Sequence, residues 1–203
     1  AAEVARAIET MDRDGQPLQG IIHAAGVAHA ESLALSTRED LERVYRAKIR
    51  APLVLQAMSQ DRGLDFFVVF SSMVSLWGAK GQAVYAAGNH FLDDWAVVAR
   101  QQGVPARAIN WGPVSGGGMV PAAELAKVST LGVRALPLES IPRLLAQAMT
   151  VPSGHVAALD VTWEVFRAHI ESRAARPFFD NTRMPASIAP SVHVQGSEDL
   201  RDI

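Results

Sequence analysis

Four side chains in this 203-residue sequence, Lys48, Ser72, Tyr85 and Asn89, are of types that could act together on a carbonyl group. Tyr85 and Asn89 are four apart, so in a helix they project from one side, beside an apolar stripe that includes Gly88 and Phe91. Lys48 falls on the apolar stripe Leu41, Val44, Lys48, Ala51, Leu55, where burying an unpaired ammonium is costly unless the stem snorkels. A free phenol has a pKa of about 10, so it keeps its proton at neutral pH and can donate it to an oxygen becoming alkoxide. A nearby ammonium is expected to lower that pKa, commonly by about one to three units, and to stabilise developing negative charge. A serine hydroxyl can bond the same oxygen, and an asparagine amide can hold a relay water. Together these groups suit carbonyl reduction. Each also has a plainer reading: snorkelling for Lys48, ring packing for Tyr85, and a turn or helix cap for Ser71 and Ser72.

The elements that must position them alternate between strand and helix. Helical spacing runs to Met11, Asp14-Gly15 breaks it, and GIIHAA follows as a buried strand. Ser36-Thr37-Arg38-Glu39 reads as a capping box opening one helix towards Met58. The near-continuous apolar run from Asp65 to Phe70 fits a central parallel strand ending at Ser71-Ser72. A helix over about 83–102, with Val84, Gly88, Phe91, Trp95 and Val98 on its buried face, stops at Gly103. A strand over 106–111 leads into Gly112 to Val120, a mobile loop at a strand's carboxyl end, where open α/β sheets place ligands. Helices over 122–130 and 138–149, a strand over 155–161 and a short helix over 163–170 complete the pattern. The fold class is α/β, a Rossmann-like doubly wound parallel sheet with right-handed crossovers.

Composition narrows the function. With 19 Lys plus Arg against 21 Asp plus Glu, the formal charge of -2 gives no basic surface for nucleic acid or anionic membrane. There is no cysteine, which excludes disulfides and thiolate metal sites and suits a cytoplasmic location. No apolar run approaches the roughly 20 residues that span a bilayer. No metal site is expected.

Several motifs carry a resemblance: His23-Ala24-Ala25-Gly26, Phe70-Ser71-Ser72, Tyr85-Ala86-Ala87-Gly88-Asn89, Asn110-Trp111-Gly112-Pro113 and Asp160-Val161-Thr162-Trp163. With them, residues 1 to about 178 resemble the ketoreductase domains of modular type I polyketide synthases, in the short-chain dehydrogenase/reductase superfamily. Most of that superfamily carries Lys four residues after Tyr. Here Asn89 stands in that slot and Lys48 lies earlier, an exchange similar to that of polyketide and fatty-acid synthase ketoreductases. The resemblance implies that Tyr85 donates the proton, Ser72 bonds the carbonyl, and Lys48 and Asn89 support them. It implies NADPH as cofactor, met by His23, Ala24, Ala25, Gly26, Ser71, Pro113 and Val114, although a lone histidine beside a strand, as His23 is, is more often a satisfied core residue than a participant. It implies a β-ketoacyl substrate linked by phosphopantetheine to an acyl carrier protein, within a multifunctional transferase that also contains other synthase domains. Trp77, eight residues before Tyr85, Gln82, Met119 and the absence of a Leu-Asp-Asp motif after His23-Ala24-Ala25-Gly26 resemble the A-type, which forms an L-hydroxyl without epimerising.

No Gly-x-Gly-x-x-Gly turn follows a first strand, so the pyrophosphate-binding helix start of a dinucleotide fold is not in this sequence. The expectation is a ketoreductase sheet truncated at the N-terminus, its catalytic part over 1–172, and inactive by itself. Residues 173–203 read as a linker, with Ser197-Glu198-Asp199-Leu200 capping a downstream domain such as the acyl carrier protein. Two rival readings are a non-catalytic structural remnant of a megasynthase and a stand-alone reductase of free ketones.

Overall fold

The structure is a computed structural model that describes residues 2–172 and 174–182. Contacts divide the chain after Val161, earlier than the boundary expected at 172, into one unit over 1–161 and a second from Thr162 onward.

The first unit opens with helix α1 (Ala2–Arg13) and strand β1 (Gly20–His23). Helix α2 (Arg38–Tyr45) follows, then a π-helical turn (Arg46–Arg50) and helix α3 (Ala51–Ser59). Strand β2 (Phe66–Ser72), helices α4 (Val74–Trp77) and α5 (Ala83–Gln101), and strand β3 (Ala106–Trp111) form its centre. Then come β4 (Val114–Ser115), α6 (Ala122–Thr130), β5 (Val133–Arg134), β6 (Leu136–Pro137), a 3-10 turn (Leu138–Ser140), α7 (Ile141–Thr150), β7 (His155–Ala158) and β8 (Asp160–Val161).

Four strands form a fully parallel sheet in the order β1, β2, β3, β7. All six residues of β3 are buried, and Phe67, Val68 and Val69 of β2 are buried in succession, as expected for strands covered on both faces. On one face Phe67, Val69, Ala106 and Ala108 meet Leu92, Trp95, Ala96 and Ala99 of α5, with Phe67 and Trp95 edge to face at 4.8 Å. On the other, Val68, Ile109 and Trp111 meet Leu136 and Ala148. Arg107 is buried on this sheet and donates from Nη1 to the carbonyls of Ala148 and Val151, capping the end of α7.

Several expectations shift in register. The capping box is Thr37 with Asp40, not Ser36 with Glu39: Thr37 Oγ1 accepts from the Asp40 N–H while the Asp40 carboxylate accepts from the Thr37 N–H. The one helix expected from there to Met58 is interrupted by the π turn. On α5, Val98 is exposed and Leu92 and Ala99 take the buried positions. At about 100° per residue the buried arc runs from Val84 through Gly88 and Leu92, and Val98 falls outside it. The strand expected over 155–161 divides at Leu159, because Asp160–Val161 leaves the main sheet to pair antiparallel with Val133–Arg134.

The second unit holds helix α8 (Trp163–Ile170) and a 3-10 segment (Pro177–Thr182). The stretch read as linker from 173 therefore contains ordered structure: Phe179 is buried and packs edge to face on Phe166 at 5.7 Å. Aromatic burial orders this segment without a periodic pattern. The cap at Ser197-Glu198-Asp199-Leu200 lies outside the described residues.

Because Leu92 is fully buried between α5 and the sheet, Leu92→Ala is expected to lower unfolding stability by about 2–5 kcal/mol. Urea titration followed by circular dichroism measures it.

Candidate active site

The parallel register brings the carboxyl ends of β2 and β3 side by side, pairing Ser71 with Asn110 and Ser72 with Trp111. Helix α5 starts at the same end and presents Tyr85, Asn89 and Asp93 along one side, at successive intervals of four residues. Asn89 is wholly buried, and its Nδ2 donates to the Tyr85 carbonyl at 2.8 Å. Its Oδ1 is buried without a hydrogen-bond partner among the described residues.

Lys48 crosses beneath this group. It is 2% exposed, so it does not snorkel; its Nζ donates to the Phe70 carbonyl at 2.8 Å and lies 5.9 Å from the centre of the Tyr85 ring. Two glycines make room for it. A Cβ at Gly88 would stand 3.3 Å from Lys48 Cβ and 3.2 Å from Val44 Cγ1, and a Cβ at Gly26 would stand 3.0 Å from Lys48 Cε. Burial lowers the Lys48 pKa to about 8, opposed by attraction to the Asp93 carboxylate.

The Tyr85 hydroxyl departs from expectation. Its pKa is raised, because burial outweighs the hydrogen bonds from Ser72 and Asn89, and the ammonium does not acidify it. Desolvation of the phenolate dominates where the nearby cation is spent on a backbone carbonyl.

Beneath these residues lies a buried polar network that joins Ser71, Asn89 and Asn110 to Ser75, Asp93 and His155, three residues that sequence reasoning missed. Asp93 accepts from Ser75 Oγ at 2.6 Å and from Asn110 Nδ2 at 3.0 Å. Asn110 Nδ2 also faces Ser71 Oγ at 3.1 Å, while Ser71 Oγ donates to the Asn89 carbonyl at 3.1 Å. His155 Nε2 bonds Asn110 Oδ1 and stands 3.7 Å from Asp93 Oδ1. The available signal was the continuation of Tyr85 and Asn89 by an acid at the same spacing.

The remaining expected residues divide. Ala24 and Ala25 are exposed and Gly26 half-buried, just beyond the end of β1. His23 takes its core reading: it is buried, and its Nε2 lies 2.8 Å from the Ala47 carbonyl. Ser71 belongs to the buried network rather than to an open surface. Pro113 is buried and Val114 half-buried, tied to β6 by the Leu136 N–H bonding the Pro113 carbonyl at 2.7 Å. Trp77, ending α4, and Gln82, the residue before α5, are both half-buried. Met119 follows three glycines, Gly116 to Gly118, all at positive φ; its side chain reaches back so that Cε would lie 3.8 Å from a Cβ on Gly26. Among the described residues no group of acids and histidines could hold a metal, and no helix is long and apolar enough to cross a membrane.

Comparison with known proteins agrees with this geometry. The family described as the KR domain matches residues 1–116. Polyketide synthase GfsA of Streptomyces halstedii is 33% identical over 175 residues, which is 86% of this chain and 2% of that protein. Erythronolide synthase EryA2 of Saccharopolyspora erythraea is 38% identical over 159 residues, 73% of this chain and 4% of that protein. Among solved structures, the PlmKR1 ketoreductase from the first module of phoslactomycin biosynthesis in Streptomyces sp. HK803 superposes with a TM-score of 0.83 at 33% identity, covering 92% of this chain and 44% of that one. The first ketoreductase of the tylosin synthase gives a TM-score of 0.78 at 30% identity, covering 90% and 41%. The chain belongs to the KR family, the ketoreductase domains of modular polyketide synthases. It spans a few per cent of those synthases and under half of the solved ketoreductase chains.

The Lys48 shift has a thermodynamic consequence. Between about 8 and the ordinary 10.5 the unfolded chain holds more protons at this lysine than the folded one, so its contribution to stability rises with pH across that window and is lost as pH falls through 8. Denaturant titrations from pH 7.5 to 10 are expected to show the parent gaining stability relative to Lys48→Met.

Proposed function

We propose that the protein containing this chain reduces the β-keto group of a polyketide intermediate to a β-hydroxyl, with the substrate held as a phosphopantetheine thioester on an acyl carrier protein and NADPH as reductant. The observation that carries this reading is the convergence of Tyr85, Ser72, Asn89 and Lys48 at the carboxyl ends of β2 and β3, in a chain of the ketoreductase family.

The residues fit a nicotinamide cofactor on its ribose side. The backbone of Ala24 to Gly26 is open beyond β1, and Gly26 leaves a cradle that a Cβ would fill against Lys48. Pro113 and Val114 follow the end of β3, where they are tied to β6. When bound, the cofactor supplies the hydride that reduces the carbonyl carbon. Ser72 Oγ and Tyr85 Oη orient the ketone through its oxygen, and Tyr85 passes its proton to that oxygen as it gains negative charge. The raised phenol pKa keeps this proton in place at neutral pH until an alkoxide, a much stronger base than a phenolate, draws it off. The phenolate left on Tyr85 is then reprotonated, with the Lys48 ammonium as the nearby proton donor. The unpartnered Asn89 Oδ1 is suited to hold the water that returns a proton from Lys48.

By resemblance to the A-type class at Trp77, Gln82 and Met119, we assign A-type stereochemistry and an L-hydroxyl. NADPH in preference to NADH rests on the same resemblance.

In the intact protein, Tyr85→Phe is expected to lower kcat for NADPH oxidation with a β-ketoacyl thioester by about 10²- to 10⁴-fold, and chiral analysis of the product to return the L-hydroxyl. Unchanged turnover would remove Tyr85 from the chemistry, and a D-hydroxyl product would overturn the A-type assignment.

A further inference from the structure

Lys48 sits inside the π turn, and the reason the turn exists is written four residues later. In a regular helix the Ala47 carbonyl would accept from the N–H of residue 51, and in a π turn from that of residue 52. The Ala51 N–H bonds the Arg46 carbonyl instead, and residue 52 is a proline with no N–H to give. Ala47 therefore has a carbonyl that neither ladder can serve, in a helix packed on the core, and a carbonyl left unpaired in such a place is costly. His23 Nε2 stands 2.8 Å from it, donated across from the end of β1.

We infer that His23 is a positioning residue: its neutral ring donates Nε2–H to the Ala47 carbonyl that Pro52 leaves without a partner, and so holds the π turn in the register that aims Lys48 at Phe70 and Tyr85. Lys48 is thereby fixed at two points. Its backbone is tied to β1 through His23, and its Nζ is tied to β2 through the Phe70 carbonyl. Both ties run to neighbouring parallel strands, whose spacing is set by the sheet. The neutral form is favoured because the ring is buried and faces the Lys48 ammonium, which together lower its pKa against the pull of the Ala47 bond. Of the charged groups facing the ring, Lys48 is the one that acts on it, so a second cation there is opposed.

This inference rests on the catalytic reading of Lys48 only for its effect on turnover; the anchoring itself is read separately. The chain has three lysines, Lys48, Lys80 and Lys127, so 13C-labelled lysine side chains can be followed by NMR on the whole chain and Lys48 assigned with Lys48→Met. His23→Ala is expected to raise the Lys48 titration midpoint from about 8 by about one unit or more, towards 10.5, as the ammonium escapes to water. His23→Gln, whose amide nitrogen can stand where Nε2 stood, keeps the parent midpoint. Adding Pro52→Ala to His23→Ala restores it in part, because the new N–H can serve the Ala47 carbonyl in the π register. An unchanged midpoint in folded His23→Ala overturns the inference. Should His23→Ala fail to fold, recovery of the thermal midpoint by His23→Gln and by the double variant supports it, and no recovery by either overturns it. In the intact protein kcat is expected to fall on the order of 10- to 100-fold in His23→Ala and to return in His23→Gln. A shifted midpoint with unchanged kcat keeps the anchor and removes Lys48 from the reaction, which separates the two readings.

Discussion

A lysine ammonium with 2% of its residue exposed is the constraint around which the first unit is arranged. Taking that charge out of water is expensive, and one carbonyl cannot repay it. The surroundings offset the cost in steps: the Phe70 carbonyl accepts from Nζ, the Tyr85 ring lies near enough for a weak cation-ring attraction, and Asp93 adds a buried opposite charge. Even so the balance is adverse, as the lowered pKa records. A protein keeps such a group where the position of the charge matters more than its contribution to stability.

That position is defined by backbone rather than by flexible side chains. The ends of β2 and β3 are in fixed register, and Gly88 lets α5 approach so closely that Lys48 and Val44 fill the space a side chain would occupy. Asn110 and Ser75 then lock Asp93, and Ser71 ties the same network to the backbone of α5 at Asn89. Buried donors and acceptors tied to a rigid sheet hold their geometry better than exposed ion pairs, which gain little and are screened. The exposed pairs here, such as Arg38 with Glu42, sit away from the site and do none of this positioning.

Much of this was legible in the sequence, for identifiable reasons. Runs such as Phe66 to Phe70 and Ala106 to Trp111 are apolar on both faces and admit little but central parallel strands, and four-residue spacing placed Tyr85 and Asn89 on one side of α5. Periodicity placed Lys48 on the apolar stripe, where snorkelling was the plainer expectation and full burial is what the structure shows. What it could not supply was bonding between distant segments. Asp93 reads as an ordinary helix acid until Asn110 and His155, from two other strands, are brought to it. His23 reads as a cofactor neighbour or, more readily, as a core histidine, but nothing local shows that its partner is a carbonyl left vacant by Pro52. The phenol was expected to be acidified because proximity of the ammonium was counted and burial of the phenol was not. Past residue 173, the burial of Phe179 depends on two aromatics of α8 and has no periodic trace.

The run Gly116 to Gly118 beside Met119 has its own meaning for this enzyme fold. Three consecutive glycines lack the Cβ that restricts other residues, so holding them in one conformation forfeits about 1–2 kcal/mol of backbone freedom at each. Holding Met119 close to Gly26 therefore rests on the contacts its own side chain makes, and not on any backbone preference of the three residues before it.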